Sequence, residues 1–133
     1  MMRLLCAIAV YLAAFEAIAA PVYLDCKLDD PKQPRGFSVK LDEESTKVTH
    51  TNADGSAFNA DGFFAADKVS WQRVSVAQQI KIVHLYEVNR STLVTSETFN
   101  VAPVDPKYAH LTKPPIVTTG SCSLVEAPAD RKF

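Results

Sequence analysis

Three histidines are the residues of this sequence best suited to bind a metal or to move a proton. His50, His84 and His110 lie far apart in the chain, whereas zinc sites usually include close pairs, such as histidines about three to five residues apart. We therefore predict no metal site and no cofactor. His84 falls in an apolar run and is predicted to be a strand residue. His50 and His110 are predicted to lie at the surface.

An Asn-Ala-Asp-Gly segment occurs twice, at residues 52–55 and again at residues 59–62. Oxygen-rich segments that end in glycine are typical of calcium loops. In an EF-hand frame, however, His50 would take the first ligand position, and Asp61 would stand where a bidentate glutamate is expected. We interpret both segments as β-turns.

No motif for nucleophilic catalysis occurs, since the chain contains neither Gly-x-Ser-x-Gly nor Ser-x-x-Lys. We predict no catalytic residues and no enzyme activity. The alternative is a small secreted hydrolase whose catalytic residues are scattered along the chain. Such an enzyme would need an acidic or histidine cluster in a cleft.

The N-terminus has the layout of a secretory signal peptide. Met1-Met2-Arg3 is basic, residues 4–15 are apolar, and Ala17-Ile18-Ala19 offers a small-x-small cleavage site. The apolar run is shorter than the about 20 residues that a membrane-spanning helix needs. We predict a signal peptide over residues 1–19 and a periplasmic or extracellular location. The alternative is an uncleaved N-terminal anchor.

Cleavage would remove Cys6 and leave two cysteines, Cys26 and Cys122, near the two ends of the mature chain. A pair of cysteines in an exported protein most simply forms one disulfide. Two free thiols, or a link between two molecules, are the alternatives.

Charge and length limit the remaining function classes. The net charge of -1 gives no basic face for nucleic acid, so we predict no nucleic-acid partner. The length suits one domain. We predict a single β-domain over residues 20–125, with a loose C-terminal tail over residues 126–133.

Apolar and polar residues alternate along most of the mature chain, which is typical of β-strands. The predicted strands are residues 22–28, 37–42, 47–51, 58–64, 68–74, 79–89, 92–101 and 116–125. The fold class is therefore all-β, a small antiparallel sandwich or open barrel of about seven or eight strands, with a disulfide joining the first and last. Only residues 74–79 carry any helical signal.

Two connections are the candidate binding features. Residues 89–92 form a tight link between two strong strands, which predicts a hairpin with Arg90 near its tip. Residues 103–115 contain four prolines and predict a long surface loop that presents Tyr108 and Leu111. Trp71 is predicted to be a core residue that shares a face with Arg73. An exposed patch of Trp71 with Phe63 and Phe64 is the alternative.

Three segments resemble a loose group of small exported bacterial β-rich proteins of unknown function: residues 23–26 (Tyr-Leu-Asp-Cys), 88–93 (Val-Asn-Arg-Ser-Thr-Leu) and 120–122 (Gly-Ser-Cys). The group shares a cysteine in the first strand, a hairpin with Ile or Val-x-Arg-x-Thr-Gly, and a terminal Gly-x-Cys. This chain has Asn89 before the arginine and lacks the glycine after Thr92. The resemblance implies a periplasmic β-domain.

Together these observations predict an exported binding or accessory protein whose partner is an unidentified protein or envelope component. An inhibitor-like β-domain is one version of this prediction, since exported β-domains with a terminal disulfide include periplasmic lysozyme inhibitors. The predicted binding residues are Arg90 and Tyr108.

Overall fold

The computed structural model describes residues 19–128 and consists almost entirely of β-strands. The strands are β1 (Val22–Leu28), β2 (Arg35–Asp42), β3 (Lys47–Asn52), β4 (Ala57–Asp61), β5 (Phe63–Phe64), β6 (Lys68–Ala77), β7 (Ile80–Asn89), β8 (Val94–Pro103) and β9 (Ile116–Val125). A 3₁₀ helix (Pro106–Leu111) lies in the β8–β9 connection. The predicted signal peptide lies outside the described residues apart from Ala19, as does the end of the predicted tail from residue 129 onward.

The strands form one antiparallel sheet in the order β4-β3-β2-β1-β9-β8-β7-β6-β5. Strand β9 pairs with both β1 and β8, so two meanders are joined into a single sheet. The chain runs from β4 to β5 through Gly62, which brings the two edges of the sheet side by side. The result is a nearly closed barrel, which confirms the predicted all-β fold class.

The predicted disulfide is present. Cys26 of β1 lies directly opposite Cys122 of β9, and their sulfur atoms are bonded across a sequence separation of 96 residues. The two meanders meet at β1 and β9. Within the described chain this is the one strand pairing between segments distant in sequence, and the disulfide links the two meanders there.

Alternation along the strands places the core inside the barrel. In β1, for example, Leu24, Cys26 and Leu28 are buried and the residues between them are not. Trp71 is buried, as predicted, and Arg73 on the same face places its guanidinium over the Phe58 ring. Burying each large apolar side chain stabilises the fold by about 1.5–3 kcal/mol. The core is Leu24, Cys26, Leu28, Phe37, Val39, Leu41, Val48, Val69, Trp71, Tyr86 and Val88.

The predicted strand at residues 58–64 is broken in two at Gly62. A Cβ atom there would lie 2.5 Å from Cε2 of Phe64 and 2.8 Å from Cγ2 of Val48, so any larger residue would have to displace these two side chains. The predicted β-turn at residues 59–62 is wrong, because Asn59 and Asp61 belong to β4. The turn at residues 52–55 is present, and Gly55 adopts a positive φ of 89° there.

The weak helical signal at residues 74–79 also does not produce a helix. Residues 74–77 complete β6, and Gln78 and Gln79 form the turn into β7 with positive φ values of 51° and 66°. Ser75 and Ala77 pair with β7, and this strand pairing outweighs the local helix propensity of the segment.

The barrel has two different ends. The turn end carries the tight connections at residues 43–46, 65–67 and 90–93. The loop end carries the connections at residues 29–34, 53–56, 78–79 and 104–115. Strands β6, β7 and β8 each have ten residues and extend past their neighbours at the loop end. We call residues 74–77, 80–83 and 100–103 the extension.

Candidate functional site

A cavity of about 330 Å³ opens at the turn end, beneath the β7–β8 hairpin. Ligand pockets usually have volumes of about 300–1,000 Å³, mostly apolar walls and a few polar groups. Here the polar groups are Glu43, Asn89 and Arg90. The apolar lining is Ala19, Ala20, Val22, Leu24, Leu41, Phe64, Val69, Val88, Leu93 and Leu124.

The hairpin above this cavity is held by its own polar atoms. The side-chain oxygen of Asn89 accepts hydrogen bonds from the backbone N–H groups of Ser91 and Thr92, both at 2.9 Å. Leu93 has a positive φ of 60°, donates its N–H to the carbonyl of Asn89 and accepts from the N–H of Cys122. These bonds fix Leu93 in a conformation that a leucine rarely adopts, and its side chain packs against the core.

Arg90 lies at the rim of the cavity and joins three connections. Its Nη1 and Nη2 donate to the two carboxylate oxygens of Glu43, at 3.2 and 2.7 Å. Nη1 also donates to the carbonyl of Ala65, at 2.9 Å. The hydrogen bonds from Arg90 hold the pKa of the Glu43 carboxyl below its usual value, so the pair is ionised at neutral pH.

A guanidinium carries five N–H donors in a fixed plane. The bonds to Glu43 and Ala65 use three of them, so Arg90 retains donors for another acceptor while its position is fixed. Strand alternation could not reveal this arrangement, because Glu43 and Ala65 come from connections distant in sequence from the hairpin.

A second cavity, of about 320 Å³, lies at the loop end and is lined by polar side chains, including Arg35, His50, Tyr86 and Glu97. Glu97 is only 4% exposed. Its oxygens accept from Nη1 and Nη2 of Arg35, at 3.2 and 2.9 Å, and Asp30 lies 3.3 Å from Nε of the same arginine. The Arg35 side chain therefore connects β2 to β8 across the interior.

The ionisation of Glu97 follows from its surroundings. Burial by itself would raise the pKa of this carboxyl, but the hydrogen bonds and charge of Arg35, together with Tyr86, outweigh burial and leave the pKa below its usual value. Burial and the nearby negative charge of Glu97 raise the pKa of the Tyr86 hydroxyl. Nδ1 of His84 is buried without a hydrogen-bond partner, 3.7 Å from Oε2 of Glu97.

The prediction that His50 lies at the surface is wrong. His50 is 1% exposed, because it lies two residues after the buried Val48 in β3 and therefore faces the interior on the same side of the strand. Its ring stacks between those of Phe37 and Phe58, with centroid distances of 4.5 and 4.7 Å. Burial lowers the pKa of the imidazole to about 4. His84 is a strand residue and His110 is exposed, as predicted.

These polar residues converge, and most of their reactive atoms are already bonded. Nδ1 of His84 has no hydrogen-bond partner, but it is buried away from solvent. Both oxygens of Glu97 accept from Arg35, and Nδ1 of His50 accepts from the indole of Trp71. Among residues 19–128, no group of three or more His, Cys, Asp or Glu side chains is placed to hold a metal ion. The cluster can orient a polar ligand, and its chief effect on the protein is to crosslink strands.

The structure places the two predicted binding residues at opposite ends of the barrel. Tyr108 lies in the 3₁₀ helix at the loop end, is 45% exposed, and has Nζ of Lys107 5.5 Å from its ring centroid. Arg90 lies at the turn end. The ten residues of β8 separate these two ends, and at about 3.3 Å per residue the separation is about 30 Å. One small patch therefore cannot contain both, and binding by either residue stays a prediction.

Sequence reasoning missed the buried pair of Glu97 and Arg35. A signal for Glu97 was present: in β8 it occupies the same alternating positions as Thr95 and Phe99, so it had to face inward. Nothing local indicated that Arg35 would be its partner.

Comparison of the chain with protein-family models, with curated proteins and with solved structures found no significant match. In the part of the chain that the structure describes, no helix is long and apolar enough to cross a membrane.

Proposed function

We propose that this chain is an exported binding protein and that the cavity under the β7–β8 hairpin is its ligand site. The observation that carries the proposal is the combination of an apolar cavity at the mouth of the barrel with a fixed arginine at its rim. Barrel mouths are frequent ligand sites, and a few oriented polar groups in an apolar lining are typical of them.

The chemistry of the lining defines the ligand. The apolar side chains would bury an acyl chain or an apolar side chain of a partner, and the unused N–H groups of Arg90 would donate to an acceptor oxygen at its end. Hydrogen bonds in which the donor is charged are roughly twice as strong as neutral ones. The ligand class is therefore an apolar group that ends in a carboxylate or a similar oxygen acceptor, carried by an envelope component or a partner protein.

Binding is better supported than the hydrolase alternative. A hydrolase requires a base with a free lone pair next to the substrate. Both oxygens of the Glu97 carboxylate accept from Arg35, and the imidazole of His50 is buried and hydrogen-bonded to Trp71. Nδ1 of His84 has no hydrogen-bond partner, but it is buried away from solvent and so cannot reach a substrate. The cavity beside Arg90 offers Glu43 as its acid, and Glu43 is paired with Arg90.

The ligand proposal is tested by calorimetric titration of the mature protein with dodecanoate and with the uncharged dodecanol. We expect wild type to bind dodecanoate more tightly. Arg90→Met should remove that preference, because it keeps an unbranched, flexible side chain and loses the N–H donors. Leu124→Trp should weaken the binding of both ligands, because the larger side chain fills part of the cavity. Tyr108→Ala is the control, since Tyr108 lies at the other end of the barrel.

If neither ligand binds to wild type, or if Arg90→Met and Leu124→Trp bind both ligands as wild type does, the cavity is not the ligand site. Thermal unfolding of each variant must accompany the titrations, because Arg90 also anchors Glu43 and Ala65. The separate proposal that Tyr108 contacts a protein partner is tested by chemical crosslinking in the native envelope, comparing wild type with Tyr108→Ala.

Export itself is part of the proposal and is supported by the disulfide, which fits an oxidising compartment. Intact-mass measurement of the exported protein should show a chain that begins at Ala20. A mature protein that still begins at Met1 would contradict the signal-peptide prediction and would leave Ala19 in the wall of the cavity.

A further inference from the structure

The outer edge of β6 is largely unpaired. Only Val69 and Ser70 pair with the two-residue strand β5 on that side. From Trp71 to Ala77, the pairing within residues 19–128 is with β7 alone. An unpaired strand edge presents a row of backbone donors and acceptors that can pair with another strand.

The hairpin geometry identifies which backbone groups are free. The two-residue turn at Gln78 and Gln79 has positive φ at both positions, so Ala77 and Ile80 form the first hydrogen-bonded pair. Hydrogen-bonded and non-hydrogen-bonded pairs then alternate along an antiparallel ladder. The N–H and C=O groups of Val74 and Val76 therefore point away from β7.

The part of this edge nearest the barrel is covered. Strand β4 lies alongside it, the Lys47–Asp61 ion pair flanks the gap between the two strands, and Arg73 places its guanidinium over Phe58. The groove between β4 and β6 reaches as far as Val74, and the rest of the edge that belongs to the extension has no such cover. Residues 74–79 contain no charge and no proline, and Val74 and Val76 are 46% and 62% exposed.

Natural sheets usually protect an edge with a charged side chain, a proline or a bulge. Residues 74–77 are Val-Ser-Val-Ala, a sequence with high strand propensity and none of these protections. Such an unprotected edge is suited to accept a strand from another chain by β-strand addition.

We propose that the occupant is a second copy of this chain, with the two β6 strands paired antiparallel about Ser75. In this register Val74 of one copy lies opposite Val76 of the other, and each such pair can exchange both backbone hydrogen bonds, because these are the residues whose groups point outward. The same patch meets itself, as a two-fold symmetric dimer requires.

The side chains are compatible with this self-pairing. The two Val74–Val76 contacts bring β-branched apolar side chains together on the outer face, where such cross-strand pairs stabilise a sheet. Arg73 of each copy lies opposite the uncharged Ala77, so like charges do not oppose one another. A partner with an acidic strand would gain nothing along residues 74–77, which carry no charge.

The edge is short, and stable interfaces bury about 1,200–2,000 Å². The dimer should therefore be weak and depend on concentration. Sedimentation velocity of the mature protein over micromolar to millimolar concentrations measures this directly. We expect a monomer at the low end of the range and a dimer at the high end.

Two substitutions at one position test the edge. Val76→Pro removes an N–H that points away from β7, so it blocks strand addition and spares the hairpin. Val76→Lys adds a charge that protects the edge. Val117→Lys is the matched control, because Val117 is 59% exposed on β9 and away from this edge. We expect both Val76 variants to stay monomeric and the control to dimerise like wild type.

The register is tested by Ser75→Cys. Ser75 of the two copies would form a non-hydrogen-bonded pair with Cα atoms about 4.5 Å apart, which permits a disulfide between them. Mild oxidation should give a covalent dimer for Ser75→Cys and none for Val117→Cys. Wild type that remains monomeric at every concentration, or a Val76→Pro variant that still dimerises, would overturn the proposal.

Discussion

The indole N–H of Trp71 donates a hydrogen bond to Nδ1 of His50 inside the barrel, with 3.2 Å between the two nitrogens. Because Nδ1 must accept this bond, the imidazole carries its proton on the other nitrogen and is neutral. A buried polar group costs stability unless it is hydrogen-bonded. The bond therefore allows a histidine to occupy a core position among aromatic rings, and it makes the core sensitive to acid.

Stability should fall as the pH drops from 6.5 toward 4. The pKa of His50 is about 4 in the folded protein and 6.5 in the unfolded chain, so over this range the unfolded chain binds a proton that the folded protein does not. One pKa unit corresponds to about 1.4 kcal/mol, which gives a loss of about 3 kcal/mol by pH 4.

Urea unfolding at pH 7, 6, 5 and 4 checks this prediction. His50→Phe should flatten the dependence between pH 6.5 and 4.5, whereas the exposed His110→Ala should leave it as in wild type. An equal slope in His50→Phe would mean that another group is responsible.

Breaking the buried pair of Glu97 and Arg35 should cost roughly 2 kcal/mol, because Glu97→Gln removes the buried anion from the two Nη groups and leaves Arg35 paired only with Asp30 at Nε. The cost is lower than for a fully buried pair, since the Arg35 side chain is partly exposed to water. Glu97→Leu combined with Arg35→Leu should recover part of the loss. The control is Lys47→Ala, which breaks the exposed ion pair with Asp61 and should cost less than about 1 kcal/mol. Chemical unfolding of the four proteins provides the comparison.

Alanine substitutions should differ in their stability cost at Gly120 and Gly36, two glycines that both lie in strands. A Cβ atom at Gly120 would lie 1.9 Å from the carbonyl oxygen of Lys27 and 2.8 Å from Cα of Leu28, so β9 would have to move away from β1. At Gly36 the nearest atom would be the carbonyl oxygen of Cys26, at an ordinary 3.7 Å. We expect Gly120→Ala to cost at least about 2 kcal/mol and Gly36→Ala less than about 1 kcal/mol. Equal midpoints of thermal unfolding would contradict this.

Loss of the disulfide should destabilise the domain by about 2–4 kcal/mol, because the bridge restricts the unfolded chain. Cys26 and Cys122 are separated by 96 residues, so the closed loop contains most of the described chain. Unfolding of wild type should shift when a reductant is added, and the variant carrying both Cys26→Ala and Cys122→Ala should not respond to it. A wild type that unfolds identically with and without reductant would show that the bridge contributes nothing.

Local patterns were enough to predict most of the strands and the disulfide. Residues 22–28 and 116–125 were predicted with the bounds that the structure has, and in residues 22–28 the predicted period-two alternation is present. Cys26 and Cys122 were predicted to pair, because they are the two cysteines that signal-peptide removal would leave. The hairpin at residues 89–92 followed from a short polar link between two apolar runs. Each of these inferences needs only neighbouring residues or a residue count.

What alternation leaves open is the environment of each face, which depends on the strands that lie across the barrel. His50 follows the same period as Val48, but its burial requires Phe37, Phe58 and Trp71 to surround it. The predicted β-turn at residues 59–62 is wrong because it takes no account of strand pairing or of the close packing of Val48 and Phe64 around Gly62.

An all-β domain, most of its strands and its disulfide can be predicted from the sequence, because the side-chain period and the cysteine count are local properties. Which charges meet depends on the tertiary structure. Arg35 and Glu97 are 62 residues apart, and Arg90 and Glu43 are 47 residues apart. The curvature of a nearly closed sheet brings these pairs together, and that curvature is set by the packing of all the strands at once.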